Sequence, residues 1–136
     1  MARLVSDDAW GIMTVWQEAR NQSYKGMVMV AEVILRRVRL KYMSDGTITG
    51  TILHPYQFSG WNTKDPNRIL ASVIDVDDQM VIQCMNAWEA AKNGSNYSNG
   101  AVIYFNPRTA TSKPAGADVF CVAEQDHQFW KPATMR

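Results

Sequence analysis

Apolar residues over the first forty positions repeat twice at helical spacing, and one acid falls between the two runs. Ala9, Ile12, Met13, Trp16 and Ala19 recur at i, i+3, i+4, i+7 and i+10, the spacing of one buried stripe on an amphipathic helix. At about 100° per residue, Glu18 falls off that stripe, roughly opposite Ala9, on the side that carries Trp10, Gly11, Thr14 and Val15. The pattern predicts a helix that starts at Ser6-Asp7-Asp8 and has an apolar back and a mixed front bearing one carboxylate. The second run, from Gly26 to Leu35, is apolar on almost every side, which puts a helix in the middle of a domain. Ser23 is its expected N-cap. A third helix is read where Met80, Val81, Cys84, Ala87, Trp88 and Ala91 share a face, with Asp77 and Asp78 at its start and Asn93-Gly94 at its end.

Between these helices the pattern weakens. The stretch from Thr47 to Leu53 is rich in β-branched residues and reads equally as a strand or a short helix, ended by Pro55. Tyr56 to Asn62 is dense in amides, hydroxyls and aromatic faces, groups that match the C–H faces and hydroxyl edges of a sugar as well as they make a pinned polar loop. Residues 63 to 76 read as an irregular connection whose acids lack the spacing and glycine of a calcium loop. Two short apolar runs, 101–105 and 118–123, read as strands joined by a Thr/Ser/Pro/Gly loop of hairpin type. On an extended chain Tyr104 and Asn106 face the same side, so a phenol and an amide would be displayed together.

Size and charge narrow the functions available. A chain of 136 residues with 46% hydrophobic content makes one domain, 1–136, that buries roughly two-thirds of its unfolded surface. The net charge of +1 gives no basic stripe for nucleic acid. The cluster Arg36, Arg37, Arg39 and Lys41 suits a helix C-terminus by dipole alone, with attraction of an anionic polymer as the second reading. No run reaches membrane-spanning length and no signal-peptide core precedes the first helix. Cys84 and Cys121 fall in apolar runs and are expected as buried free thiols. The histidines, His54 and His127, have no Cys or acid at ligand spacing, so neither a metal nor any other cofactor is expected.

The segment from Glu18-Ala19-Arg20 to Gly26, followed by Val28, Val30-Ala31, Val33-Ile34-Leu35 and Arg37-Val38, resembles the opening motif of the SleB-type cell-wall hydrolases. Gln57-Phe58-Ser59, Tyr104-Phe105-Asn106-Pro107, Thr111-Ser112-Lys113 and His127-Gln128-Phe129 follow in that family's order, so the likeness spans nearly the whole chain. Three positions depart from it: Asn21-Gln22 stands where the family has Gly-Glu, and Arg36 where it has Asn. The resemblance implies a lysozyme-like α+β fold, mainly helical with a small antiparallel β region, and a short helical turn in the 47–53 stretch. It also implies cleavage of the β-1,4 bond between N-acetylmuramic acid and N-acetylglucosamine in peptidoglycan.

That reaction needs a proton on the leaving oxygen, and a Glu supplies one at neutral pH only from a partly dry site. Glu18 is the expected acid, with Trp10 and Val15 expected to provide the dry surroundings; Gln57, Ser59, Tyr104, Asn106 and His127 would position the glycan. Hydrolysis normally needs a second carboxylate across the bond, for which Asp45, Asp65 and Asp75 are the loop candidates. The resemblance offers the lytic transglycosylase route instead, in which one Glu serves as acid and then base while the muramic 6-hydroxyl attacks. A water-using muramidase and a non-catalytic glycan-binding or virion domain are the alternatives. The expected partner is the peptidoglycan glycan strand, met by a monomer without nucleic acid or membrane insertion. The expected setting is a bacteriophage endolysin that waits in the host cytoplasm and then reaches the wall.

Overall fold

The computed structural model describes residues 6–54, 57, 58, 61 and 78–135. Among these, helices packed on one another are joined by a three-stranded antiparallel sheet, the α+β arrangement expected. Ser59, Asp65, Asp75 and Asp77, together with the connection from 63 to 76, lie outside the described residues.

Helix α1 runs Asp7–Ala19, capped by Ser6, whose hydroxyl accepts from the Ala9 N–H at 3.2 Å. Asp7 and Asp8 occupy its first turn, where carboxylates favour the exposed backbone N–H groups. Its inward face corrects the sequence reading. Gly11, Thr14, Val15, Gln17 and Ala19 are buried, whereas Ile12 and Trp16 of the apolar stripe are only half-buried at the margin of the core. The cause is Trp88. Its fully buried ring lies where a Gly11 side chain would be, since a Cβ there would come within 2.2–2.6 Å of the ring atoms. The Trp88 indole donates to Asp8 Oδ1 at 2.8 Å, fixing the same face inward. Periodicity counted bulk, but the helix docks by its least bulky position. Gly11→Ala should therefore destabilise the protein by about 1–3 kcal/mol through overpacking, although alanine favours helices by up to about 1 kcal/mol. Urea unfolding measures this, and an unchanged midpoint would mean that Trp88 moves aside freely.

Helix α2, Tyr24–Leu40, is the central element, packed against α1 and two further helices. Ser23 caps it as expected, accepting from the Gly26 N–H, and Lys41 closes it in the left-handed conformation at φ 54. Helix α3, Ile48–Ile52, is the short helical turn implied by the resemblance, with Thr47 as its cap. Asp45, one candidate second carboxylate, instead accepts from the backbone and hydroxyl of Thr47 at the head of α3. Helix α4, Gln79–Lys92, buries Val81, Cys84, Ala87, Trp88 and Ala91 of the face read from the sequence, with Met80 only half-buried at its start. Asp78 accepts from the N–H groups of Met80 and Val81 at its start. No helix among the described residues is long and apolar enough to cross a membrane.

The sheet differs from expectation. Strands β1 (Ile103–Phe105) and β2 (Val119–Glu124) do not pair with each other; β3 (His127–Lys131) lies between them, in the order β1-β3-β2. The hairpin is β2–β3, turned through Gln125 at φ 48 and Asp126. Phe129 and His127 face inward while Gln128 and Trp130 alternate outward, and the central position satisfies the β3 backbone on both edges. Cys121 is the extra residue where the register shifts between Phe120 and Val122, and this bulge leaves it half-buried rather than buried. Cys84 is fully buried, which pushes its thiol up to about 12, and both cysteines are free.

Candidate active site

Glu18 sits one residue from the end of α1, and β1 reaches it from the far side of the chain. The Tyr104 hydroxyl donates to Glu18 Oε1 at 2.6 Å across a sequence separation of 86. Burial raises the Tyr104 phenol well above its ordinary pKa, and the charge and hydrogen bond of Glu18 raise it further. The phenol therefore keeps its proton and remains a donor throughout the neutral range.

Around this pair is a cavity of about 420 Å³, lined by Glu18, Arg37, Gln57, Tyr104, Asn106 and His127 on its polar side. Ile103, Phe105, Pro114 and Ala115 supply apolar wall. Arg37 is 4% exposed, its Nε donating to the Val102 carbonyl at 2.6 Å and its Nη1 to Gln57 Oε1 at 3.1 Å. Burial lowers the Arg37 pKa, and the Tyr104, Tyr42 and Glu18 side chains draw it back up. A guanidinium does not lose its proton under such pressure, so the cavity holds a fixed cation beside its carboxylate. The His127 ring lies 5.0 Å from that of Tyr104, and burial lowers its pKa while Asp126 opposes the shift. It is therefore neutral at neutral pH, and its buried Nδ1 has no hydrogen-bond partner among the described residues. Asn106 ends β1 in a turn, its Oδ1 accepting from the Arg108 N–H.

The cavity thus gathers Glu18, Gln57, Tyr104, Asn106 and His127, positions spread from one end of the chain to the other, while Ser59 lies outside the described residues. Trp10 and Val15 do not line it: Trp10 packs on Trp61 with centroids 4.8 Å apart, and Val15 is in the core. The apolar part of the wall beside Glu18 comes from Ile103 and Phe105 of β1 and from Pro114 and Ala115 instead.

The helix-dipole reading of the arginine cluster fails for two of its members. Arg36 and Arg37 are both buried and donate to consecutive carbonyls, Ala101 at 2.6 Å and Val102 at 2.6 Å. Arg36 also reaches Ser98 Oγ and Asn96 Oδ1. Glu32, which the sequence reading passed over, is 3% exposed and accepts from the Ser95 hydroxyl and the Tyr97 and Ser98 N–H groups. A lone acid inside the most apolar helix was the available signal, because such a charge must be paired where it is buried.

The departure at positions 21–22 also has a physical basis. The Gln22 amide donates to Asp126 Oδ2 at 3.1 Å while its Oε1 accepts from the Asp126 N–H at 3.3 Å. A glutamate there would offer no donor and would set two carboxylates face to face. Ser23 Oγ donates to Glu124 Oε2 at 2.9 Å, so the α1–α2 turn is fastened to the β2–β3 turn beside His127.

Comparison with known proteins identifies the family. The profile of the family described as Cell Wall Hydrolase matches residues 21–130, beginning just past Glu18. The spore cortex-lytic enzyme of Oceanobacillus iheyensis is 33% identical over 120 residues, covering 79% of this chain and 38% of that protein. That of Bacillus cereus is 33% identical over 99 residues, covering 73% and 34% respectively. The chain therefore spans about a third of the length of the curated relatives it matches. Among solved structures, the catalytic domain of the germination-specific lytic transglycosylase SleB from Bacillus anthracis superposes with a TM-score of 0.74 at 28% identity, over 96% of this chain and 100% of that one. The Bacillus cereus SleB catalytic domain gives 0.71 at 28% identity, over 96% and 95%. The fold is thus the lysozyme-like α+β fold of those domains, and the chain belongs to the cell wall hydrolase family.

Proposed function

We propose that this protein is a peptidoglycan lytic transglycosylase that cleaves the β-1,4 bond between N-acetylmuramic acid and N-acetylglucosamine, with Glu18 as both acid and base. The observation that carries the reading is the 2.6 Å hydrogen bond from Tyr104 to Glu18 inside a cavity that also holds Arg37, Gln57, Asn106 and His127. Glu18 protonates the glycosidic oxygen as the bond to the anomeric carbon breaks, then takes the proton of the muramic 6-hydroxyl as that oxygen closes the anhydro ring. Tyr104 holds one carboxyl oxygen, so the acid's plane is set before substrate arrives. The glycan is positioned by Gln57, Ser59, Asn106 and His127, of which Gln57, Asn106 and His127 line the cavity. The single-acid route is favoured over hydrolysis because no other carboxylate lines the cavity among the described residues. The reading takes the whole chain as one catalytic domain. It also takes the setting expected from the sequence: a monomeric bacteriophage endolysin that reaches the wall from the host cytoplasm.

Mass spectrometry of the muropeptides released from purified sacculi tests the reaction. Anhydro-muramic ends are the expected product; reducing ends would make the enzyme a muramidase, and no release would leave a glycan-binding domain. Expression in a host whose inner membrane is then permeabilised tests the setting, with rapid lysis expected only after permeabilisation.

A further inference from the structure

A second cavity of about 420 Å³ opens on the other side of the Ala101–Val102 segment, and the reaction makes no use of it. Arg36 and Arg37 divide the two: adjacent on α2, they hold adjacent carbonyls, and Arg37 lines the Glu18 cavity whereas Arg36 lines the second. Arg39 and Lys131 join Arg36 in its wall. The one carboxylate there, Glu32, is already engaged. Its Oε1 accepts from Ser98, and its Oε2 from the Ser95 hydroxyl and Tyr97 N–H. Glu32 offsets Arg36, whose pKa burial lowers and the nearby Arg39 charge lowers further. Neither Arg39 nor Lys131 has an ion-pair partner among the described residues. Leu35, Leu40 and Met135 complete the wall, and Leu40 is 48% exposed.

Uncompensated cations beside aliphatic side chains fit an acidic peptide better than a bare phosphate polymer, which would leave the leucines unused. We propose that this cavity binds a carboxylate of the peptide stem carried by the same peptidoglycan whose glycan enters the Glu18 cavity. The inference rests on the function proposed above. Two contacts on one polymer would make the second effectively intramolecular, raising retention on the wall without adding to the chemistry.

The test uses protein with Glu18→Gln, so that the wall is not consumed, and sacculi freed of phosphate polymers. Binding is compared on stem-bearing sacculi and on glycan stripped of its stems by an amidase. Adding Arg39→Gln and Lys131→Gln should weaken binding to stem-bearing sacculi roughly three- to tenfold, the scale expected for two solvent-facing ionic contacts. Binding to stripped glycan should not change, and the charge-keeping pair Arg39→Lys and Lys131→Arg should bind as the unsubstituted surface does. Equal affinity on stem-bearing sacculi would overturn the proposal. So would an equal loss on stripped glycan, which would be nonspecific attraction, or a loss confined to sacculi that retain phosphate polymers. Cleavage of stem-bearing sacculi by protein with native Glu18 is scored separately: if it is absent while the stem dependence persists, the enzymatic reading fails and the stem site stands.

Discussion

Glu18→Gln lowers turnover on purified sacculi by about a hundredfold to ten-thousandfold, the range for removing a general acid–base group, and leaves the melting temperature nearly unchanged. Glutamine keeps an acceptor for the Tyr104 hydroxyl at the position of Oε1, so the contact between α1 and β1 survives while proton transfer is lost. Muropeptide release and circular dichroism on the same sample measure both. Turnover within tenfold of the parent would take Glu18 out of the acid's role. Tyr104→Phe is the companion experiment. It removes one hydrogen bond to a charged group, typically about 1.5–3 kcal/mol, so a loss of roughly tenfold to a hundredfold is expected. A larger effect from Tyr104→Phe than from Glu18→Gln would mean that the phenol, and not the carboxyl, moves the proton.

Glu32→Ala has the largest expected effect on stability, about 3–5 kcal/mol, because it leaves a buried cation and buried donors without their counterpart. Ser98 N–H and Oγ and the Tyr97 N–H lose an acceptor together, and Arg36 loses the charge that offsets its burial. For a domain of this size that is a large part of the total stability. Urea unfolding measures it, and the double variant Glu32→Met with Arg36→Leu should lose less than the sum of the two single changes, since the partners act as one network. Additive losses would show that Glu32 and Arg36 are independent despite sharing Ser98.

What could be read in the sequence was local. Ser6, Ser23 and Asp78 cap their helices as expected because an N-cap is decided by a side chain and N–H groups two or three residues away. The buried face of α4 followed from apolar spacing, since Val81, Cys84, Ala87, Trp88 and Ala91 all lie inward. The inward face of α1 did not follow, since it was decided by one glycine and the distant Trp88 ring. Strand β3 was hidden behind a polar turn, and its pairing with both other strands has no local mark. The gathering of Tyr104, Asn106 and His127 with Glu18 was expected only through the family resemblance. Arg37 was missed because a guanidinium at a helix end is ordinarily solvated, and its carbonyl partner lies at a separation of 65 residues.

The consecutive carbonyls held by Arg36 and Arg37 make α2 the common reference for both sides of the Glu18–Tyr104 contact. The chain from Asn106 to Asp118 supplies cavity wall through Thr109, Pro114 and Ala115, yet among the described residues its one ion pair is the outlying Arg108–Asp126 contact with the β2–β3 turn at 3.5 Å. Alignment and enclosure are thereby encoded in separate stretches. Evolution, or an engineer, could lengthen or rewrite that wall and change which wall polymers are admitted without re-tuning the carboxyl. Such modularity is a route by which one small scaffold serves walls of different chemistry.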